Sequence, residues 1–307
     1  MLAARFSNVV CTVLVATALV AASTGCASRV QRLARQAGFQ EDLVTGSTFR
    51  HRVYRKETSV GEYRVLHVYI EGDGRPFLRP TTVAFDPTPR DLLMLRLMAL
   101  DPAPSVYLGR PCYFGLERDR GCNPAYWTVR RFAPEVVDSL AATVRSEAAR
   151  SGATSIELYG HSGGGTLAVL LSTRIPAVTR VITIGANLDT VAWCMLHGYT
   201  LLLGSLNPAE LNLHPDSSRL LHLVGSDDTN TPPALVQSAA SRTGAIGSVR
   251  IVRGYTHNCC WQEIWRGVLS EASDQRDNGF SGSADPGGQA AVKCSRHIDT
   301  RGRGCDR

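Results

Sequence analysis

Residues 155–172 read SIELYGHSGGGTLAVLLS, and this stretch decides the fold. Residues 155–159 hold Ile156, Leu158 and Tyr159, which suit a buried strand. Residues 163–172 are small or apolar and uncharged, and predict a helix. Ser162 stands in the turn between them, in the frame Gly160-x-Ser162-x-Gly164. A serine on so sharp a turn has its hydroxyl lifted above the end of the strand. The flanking glycines let strand and helix approach without a side chain between them. A helix beginning at Gly163 also turns its unpaired N–H groups toward that hydroxyl, which favours negative charge developing there.

On both sides of this stretch, strand and helix patterns alternate. Strands are predicted over 64–70, 105–108, 181–184, 220–224 and 248–252, and helices over 30–37, 91–100, 134–150, 233–242 and 261–270. Pro134 opens one helix and Gly152 follows its end, each in its preferred place. An edge hairpin is expected near 49–63. Short apolar strands separated by helices imply an α/β chain, with a mostly parallel central sheet covered by helices on both faces. Residues 187–218 break the rhythm. They carry Trp193, Met195, Leu196 and Tyr199 and read as a cap-like insertion above the sheet. Residues 273–307 are rich in Gly, Ser, Asp and Arg, with few large apolar residues, and are expected to be a disordered tail.

The 307 residues are 44% hydrophobic and 20% charged, as in an ordinary globular protein. The net charge of +6 is spread along the chain without a basic run, so no nucleic-acid partner is expected.

A serine nucleophile needs a general base, and the base needs an acid to orient it. The strand at 220–224 leads into Gly225-Ser226-Asp227-Asp228-Thr229-Asn230-Thr231-Pro232, where Asp228 is the candidate acid and Asp227 the alternative. His257 lies between the last strand and the last helix, and is the candidate base. Asp189, after the strand at 181–184, is an outside candidate for the acid or else ties down the insertion. A tetrahedral oxyanion needs two donors. The N–H of Gly163 is one; the loop Glu71-Gly72-Asp73-Gly74 offers Asp73 as the other, with Gly74 as alternative. A carboxylate at Asp73 would repel an oxyanion unless it turned away or paired with Arg75.

With its serine turn and the order Ser162, Asp228, His257, the chain resembles the α/β-hydrolase superfamily over residues 60–270. The segments 69–74, 109–112, 186–189, 205–208 and 257–261 also resemble a group of uncharacterised bacterial α/β-hydrolase lipoproteins. The resemblance implies a serine hydrolase of esterase or lipase type acting on a small-molecule or lipid-like acyl substrate, without metal or organic cofactor. A peptidase, amidase or thioesterase with the same triad is the alternative, as is a non-catalytic envelope lipoprotein on the same scaffold.

The N-terminus reads as an export signal. Arg5 precedes an uncharged apolar run at 9–22, too short to span a bilayer comfortably. Ser23-Thr24-Gly25-Cys26 resembles a bacterial lipobox, with Ser23 where Leu is usual. Cleavage of residues 1–25 would leave Cys26 as a lipidated terminus on a membrane face of the cell envelope; a plain secretory signal is the alternative. The nine cysteines fit an oxidising compartment. Cys112 and Cys122 are close enough for a local disulfide, and Cys259 and Cys260 are candidate partners for Cys194, with the pairing left open. No C-x-x-C pair suggests a metal site.

Overall fold

The strand–turn–helix around Ser162 lies at the middle of an eight-stranded sheet. The structure is a computed structural model that describes residues 28–56, 64–211, 219–242 and 248–277. The predicted signal, Cys26, Cys294, Cys305, residues 212–218 of the insertion and residues 278–307 of the expected tail lie outside the described residues.

Helix α1 (Arg29–Gln36) precedes a hairpin of β1 (Gln40–Thr45) and β2 (Arg50–Lys56). Strand β3 (Val65–Ile70), a small separate hairpin of β4 (Phe77–Arg79) and β5 (Thr82–Val83), and α2 (Leu93–Leu100) follow. Then come β6 (Ser105–Leu108), α3 (Pro134–Ser151), β7 (Ser155–His161), α4 (Gly163–Ser172) and β8 (Val178–Ile184). The last elements are α5 (Thr190–His197), β9 (Arg219–Gly225), α6 (Pro233–Arg242), β10 (Ser248–Val252) and α7 (Trp261–Asp277). The sheet order is β1-β2-β6-β3-β7-β8-β9-β10. The pairs β1–β2 and β2–β6 are antiparallel, and the others parallel. This is the mostly parallel α/β architecture that the sequence implies.

The chain runs from β3 to β6 on one side and then back to β7 on the other, so the sheet reverses direction at β3. Loops leaving the carboxyl ends of parallel strands at such a reversal splay apart and leave a crevice. The loops after β3, β7, β8, β9 and β10 all open toward that edge, and they carry Asp73, Ser162, Gly185, Asp228 and His257.

The core explains the rigidity of that edge. Helix α4 is buried from Gly163 to Leu171, so it is apolar all round. A Cβ at Gly160 would lie 2.3 Å from the Gly164 carbonyl oxygen, and one at Gly164 would lie 2.2 Å from that of Ile70. Strand β7, helix α4 and strand β3 therefore meet backbone to backbone. Helix α7 packs on α2 and sends Trp265 onto the rings of Tyr69 and Tyr159, 6.1 and 5.4 Å between centroids. Helix α3 packs on α4, closed at its C-terminus by Gly152 in the left-handed conformation.

Three sequence expectations differ in detail. The described hairpin starts earlier, spanning 40–56 with Gln40 opposite Arg55, and residues 57–63 of the hairpin expected at 49–63 lie outside the described residues. Helix α7 continues past residue 270 to Asp277, into the segment expected as tail. Cys194 does not pair with Cys259 or Cys260: those two neighbours form a disulfide with each other. Cys194 is buried and free, its thiol donating to the Thr200 carbonyl at 3.4 Å. Cys112 and Cys122 are bonded to each other. Among the described residues, no helix is long and apolar enough to cross a membrane.

Candidate active site

Ser162 has φ 52° and ψ −124°, in the positive-φ region that a residue with a Cβ avoids. The strain is sustained from both sides. Ser162 N–H donates to the Ile184 carbonyl at 2.8 Å, and Gly165 N–H donates back to the Ser162 carbonyl at 2.9 Å. The side chain is held at the floor of a cleft of about 1010 Å³ that also exposes His257, Asp73, Asn230 and Trp193.

His257 Nδ1 is 2.8 Å from Asp228 Oδ2. The Asp228 side chain is fully buried, and its Oδ1 accepts the N–H groups of Asn230 and Thr231 at 2.9 and 2.8 Å. Thr231 Oγ1 sits 3.0 Å from both Asp228 Oδ2 and the Gly185 carbonyl. Gly185 is at φ +53°, and a Cβ there would lie 2.9 Å from both Asp228 Oδ2 and His257 Nδ1, so this place has no room for another residue. Burial pushes the Asp228 carboxyl upward, but the His257 and Thr231 bonds outweigh it and leave it below its ordinary value. Burial holds the His257 imidazole below its ordinary value; the Asp228 bond opposes this, and nearby His161 adds to it. Asp227 is exposed and accepts the Ser226 hydroxyl at 2.8 Å, away from His257. Asp189 caps α5, accepting Val191 and Ala192 N–H at 3.1 and 3.0 Å. It anchors the insertion, and it is Asp228 that meets the base.

The loop after β3 lies against the serine turn. A Cβ at Gly72 would be 3.3 Å from Ser162 Cβ, and one at Gly163 would be 2.0 Å from Asp73 Oδ1. The N–H groups of Asp73 and Gly163 make no hydrogen bond among the described residues. Of the two arrangements open to the Asp73 carboxylate from sequence, turning away or pairing with Arg75, the Arg75 pair is not formed. The carboxylate is gripped by Arg110 through Oδ1 and by Arg131 through Oδ2, the latter at 2.7 Å. Tyr113 donates its hydroxyl to the Asp73 carbonyl at 3.1 Å. Burial pushes the Asp73 carboxyl upward, and the two guanidiniums overcome this and hold it at about 2. The Cys112–Cys122 disulfide ties down the loop that carries Arg110 and Tyr113, which gives the segment at 109–112 its structural meaning.

Sequence reasoning missed four contributors. His161 places Nε2 2.9 Å from the His257 carbonyl and Nδ1 3.7 Å from Glu71 Oε1, bridging two site loops. Asn230 Nδ2 lies 3.0 Å from His257 Nε2. Arg110 and Arg131 make up the rest. His161 sits in the variable place of the serine turn and Asn230 in the acid turn, so both lay inside segments already singled out. Arg110 lay in the segment 109–112, whose role was not read, and Arg131 had no local signal. Among the described residues no cluster of His, Cys, Asp and Glu could hold a metal ion.

No family model matches the chain, and no curated protein matches it. Solved structures do. A bacterial membrane phospholipase A superposes with TM-score 0.55 at 16% identity, over 89% of this chain and 99% of that one. An esterase of Pyrococcus furiosus superposes with TM-score 0.54 at 11% identity, over 80% and 94%. A puromycin-hydrolysing peptidase of Mycobacterium tuberculosis gives 0.53 at 17%, over 79% of this chain and 40% of that one. This chain has the α/β-hydrolase fold. In an α/β-hydrolase sheet the strand ends hold whatever chemistry the loops supply, and here the loops supply a serine, a histidine–carboxylate pair and two free N–H groups.

Proposed function

We propose that the protein is a serine hydrolase that cleaves a carboxylic ester through Ser162, His257 and Asp228. The observation that carries this reading is the 2.8 Å bond between His257 and buried Asp228, in the cleft floored by the strained Ser162 turn. With Nδ1–H committed to Asp228, Nε2 is the nitrogen of His257 that acts as the base; in the resting site Asn230 Nδ2 lies 3.0 Å from it, and the proton transfer requires Asn230 to release it to Ser162. His257 removes the Ser162 proton as Oγ attacks the ester carbonyl. The tetrahedral oxyanion is stabilised by the N–H groups of Gly163 and Asp73. His257 then protonates the departing alcohol, leaving an acyl group on Ser162. Water attacks this ester, His257 again accepting a proton, and the carboxylic acid leaves.

The apolar rim residues Phe77, Leu78 and Tyr199 suit an acyl chain. The test sets p-nitrophenyl esters of increasing acyl length against peptide amides and thioesters. Turnover of esters alone supports the reading, and turnover of peptide amides alone replaces it with a peptidase. We further propose that Cys26 is lipidated and holds the enzyme on a membrane face of the cell envelope. Labelled palmitate should enter the chain and be lost in Cys26→Ser.

A further inference from the structure

The acidic groups of the cleft are already committed. Glu71 Oε2 accepts Met94 N–H at 3.0 Å and Oε1 accepts Gly72 N–H at 3.3 Å. Asp73 is shared between Arg110 and Arg131. Asp91 is bonded to Arg96 at 2.5 Å. The same cleft is lined by Arg75, Arg79 and Arg90, and among the described residues none of these has an acidic partner. Arg79 and Arg90 are exposed and Arg75 is half-buried. Arg75 is two residues from Asp73, and Arg79 closes β4. Between them stand Phe77 and Leu78, 39% and 55% exposed, large apolar side chains turned to water on the same wall.

Unpaired cations interleaved with exposed apolar side chains complement one kind of molecule. A neutral acyl ester would leave the guanidiniums unused, and a small polar anion would leave the apolar surface wet. We propose that the cleft takes an acyl ester that carries an anionic group, carboxylate or phosphate, which Arg75, Arg79 and Arg90 bind while the hydrocarbon lies on Phe77 and Leu78. Arginine suits this role because its planar fork donates to two oxygens at once. The inference rests on the hydrolase reading and names the substrate class for it.

Two matched pairs of substrates test it on the full-length protein. Mono-p-nitrophenyl adipate against p-nitrophenyl hexanoate places a carboxylate on the acyl chain. Lysophosphatidic acid against the monoacylglycerol of the same chain places a phosphate on the alcohol. The anionic member of at least one pair should have the higher kcat/KM, on the order of tenfold and mainly through KM. Which pair shows it tells where the anion sits. The variant Arg75→Gln/Arg79→Gln/Arg90→Gln should erase the preference and leave kcat/KM for p-nitrophenyl hexanoate unchanged. Added salt should weaken the preference in the parent protein. The proposal is overturned if neither pair favours its anionic member, or if the triple variant keeps the preference. If neutral esters are cleaved but anionic ones are not preferred, the substrate class fails and the hydrolase reading stands. If no ester is cleaved, both fail.

Discussion

Asn230 Nδ2 lies 3.0 Å from His257 Nε2, so in the resting site the side chain of the acid turn engages the lone pair of the base that the turn's own carboxylate orients. The backbone carbonyl of Asn230 accepts Trp193 Nε1–H at 3.1 Å and lies 2.8 Å from His197 Nε2, which couples the same residue to α5. A bond to the neutral imidazole opposes its protonation. In the proposed mechanism neutral His257 is the active form, so activity is present above its pKa and lost as pH falls through it. The acid limb of kcat/KM should therefore lie below the ordinary histidine value, following the downward direction of its shift. Asn230→Ala should move that limb upward. A limb that stays put or moves down would show that Asn230 does not hold the base.

In the proposed mechanism Asp73 acts through its backbone N–H, and its carboxylate holds the loop in place. Its two guanidinium partners are nearly buried, with side chains 2% and 7% exposed, and they fix the loop that lies against the Ser162 turn. Asp73→Asn leaves that N–H in place but strands two buried cations. Denaturant unfolding should show a loss of about 3 kcal/mol, and kcat should fall with it. A variant as stable as the parent would contradict the role of the ion pairs.

Cys112 and Cys122 close a short loop that carries Tyr113 and starts two residues after Arg110, and both of these residues hold Asp73. The double variant Cys112→Ala/Cys122→Ala should lose about 3 kcal/mol by loop entropy. Its kcat/KM should also fall, because the grip on Asp73 loosens. Unchanged kcat/KM in the folded variant would separate the disulfide from the site.

Gly164→Ala tests the close approach of α4 to β3. The added methyl carbon would sit 2.2 Å from the Ile70 carbonyl oxygen and 2.4 Å from that of Glu71. Backbone must shift, and the Ser162 turn shifts with it. Thermal denaturation should show a clear drop in Tm, and residual activity should be at least tenfold lower. Parent-like stability would mean that the packing is looser than described.

How much of this was legible in the sequence depended on where the signal lay. Strands β3, β6, β7 and β8 are buried runs of apolar residues, and their composition marks them. Strand β1 is QEDLVT, almost wholly exposed at the sheet edge, so it has no apolar alternation to mark where the hairpin begins. Ser162, Asp228 and His257 each follow a strand, and strand ends can be read locally. Arg110 and Arg131 reach Asp73 across 37 and 58 residues, and Asn230 reaches His257 across 27. Such contacts are products of the tertiary fold and leave no local pattern. The Cys259–Cys260 bond is hidden for the opposite reason: the two cysteines are adjacent in sequence, and a cysteine farther away in the chain, Cys194, looks like the more natural partner for either.

The central claim is that Ser162 is an activated nucleophile, and covalent labelling measures that directly. The folded protein should react with a fluorophosphonate probe at neutral pH, with one adduct per chain located on Ser162 by peptide mass. Ser162→Ala should take no label while keeping the parent's circular dichroism spectrum. Equal labelling of Ser162→Ala, or no labelling of the folded parent, would contradict the account.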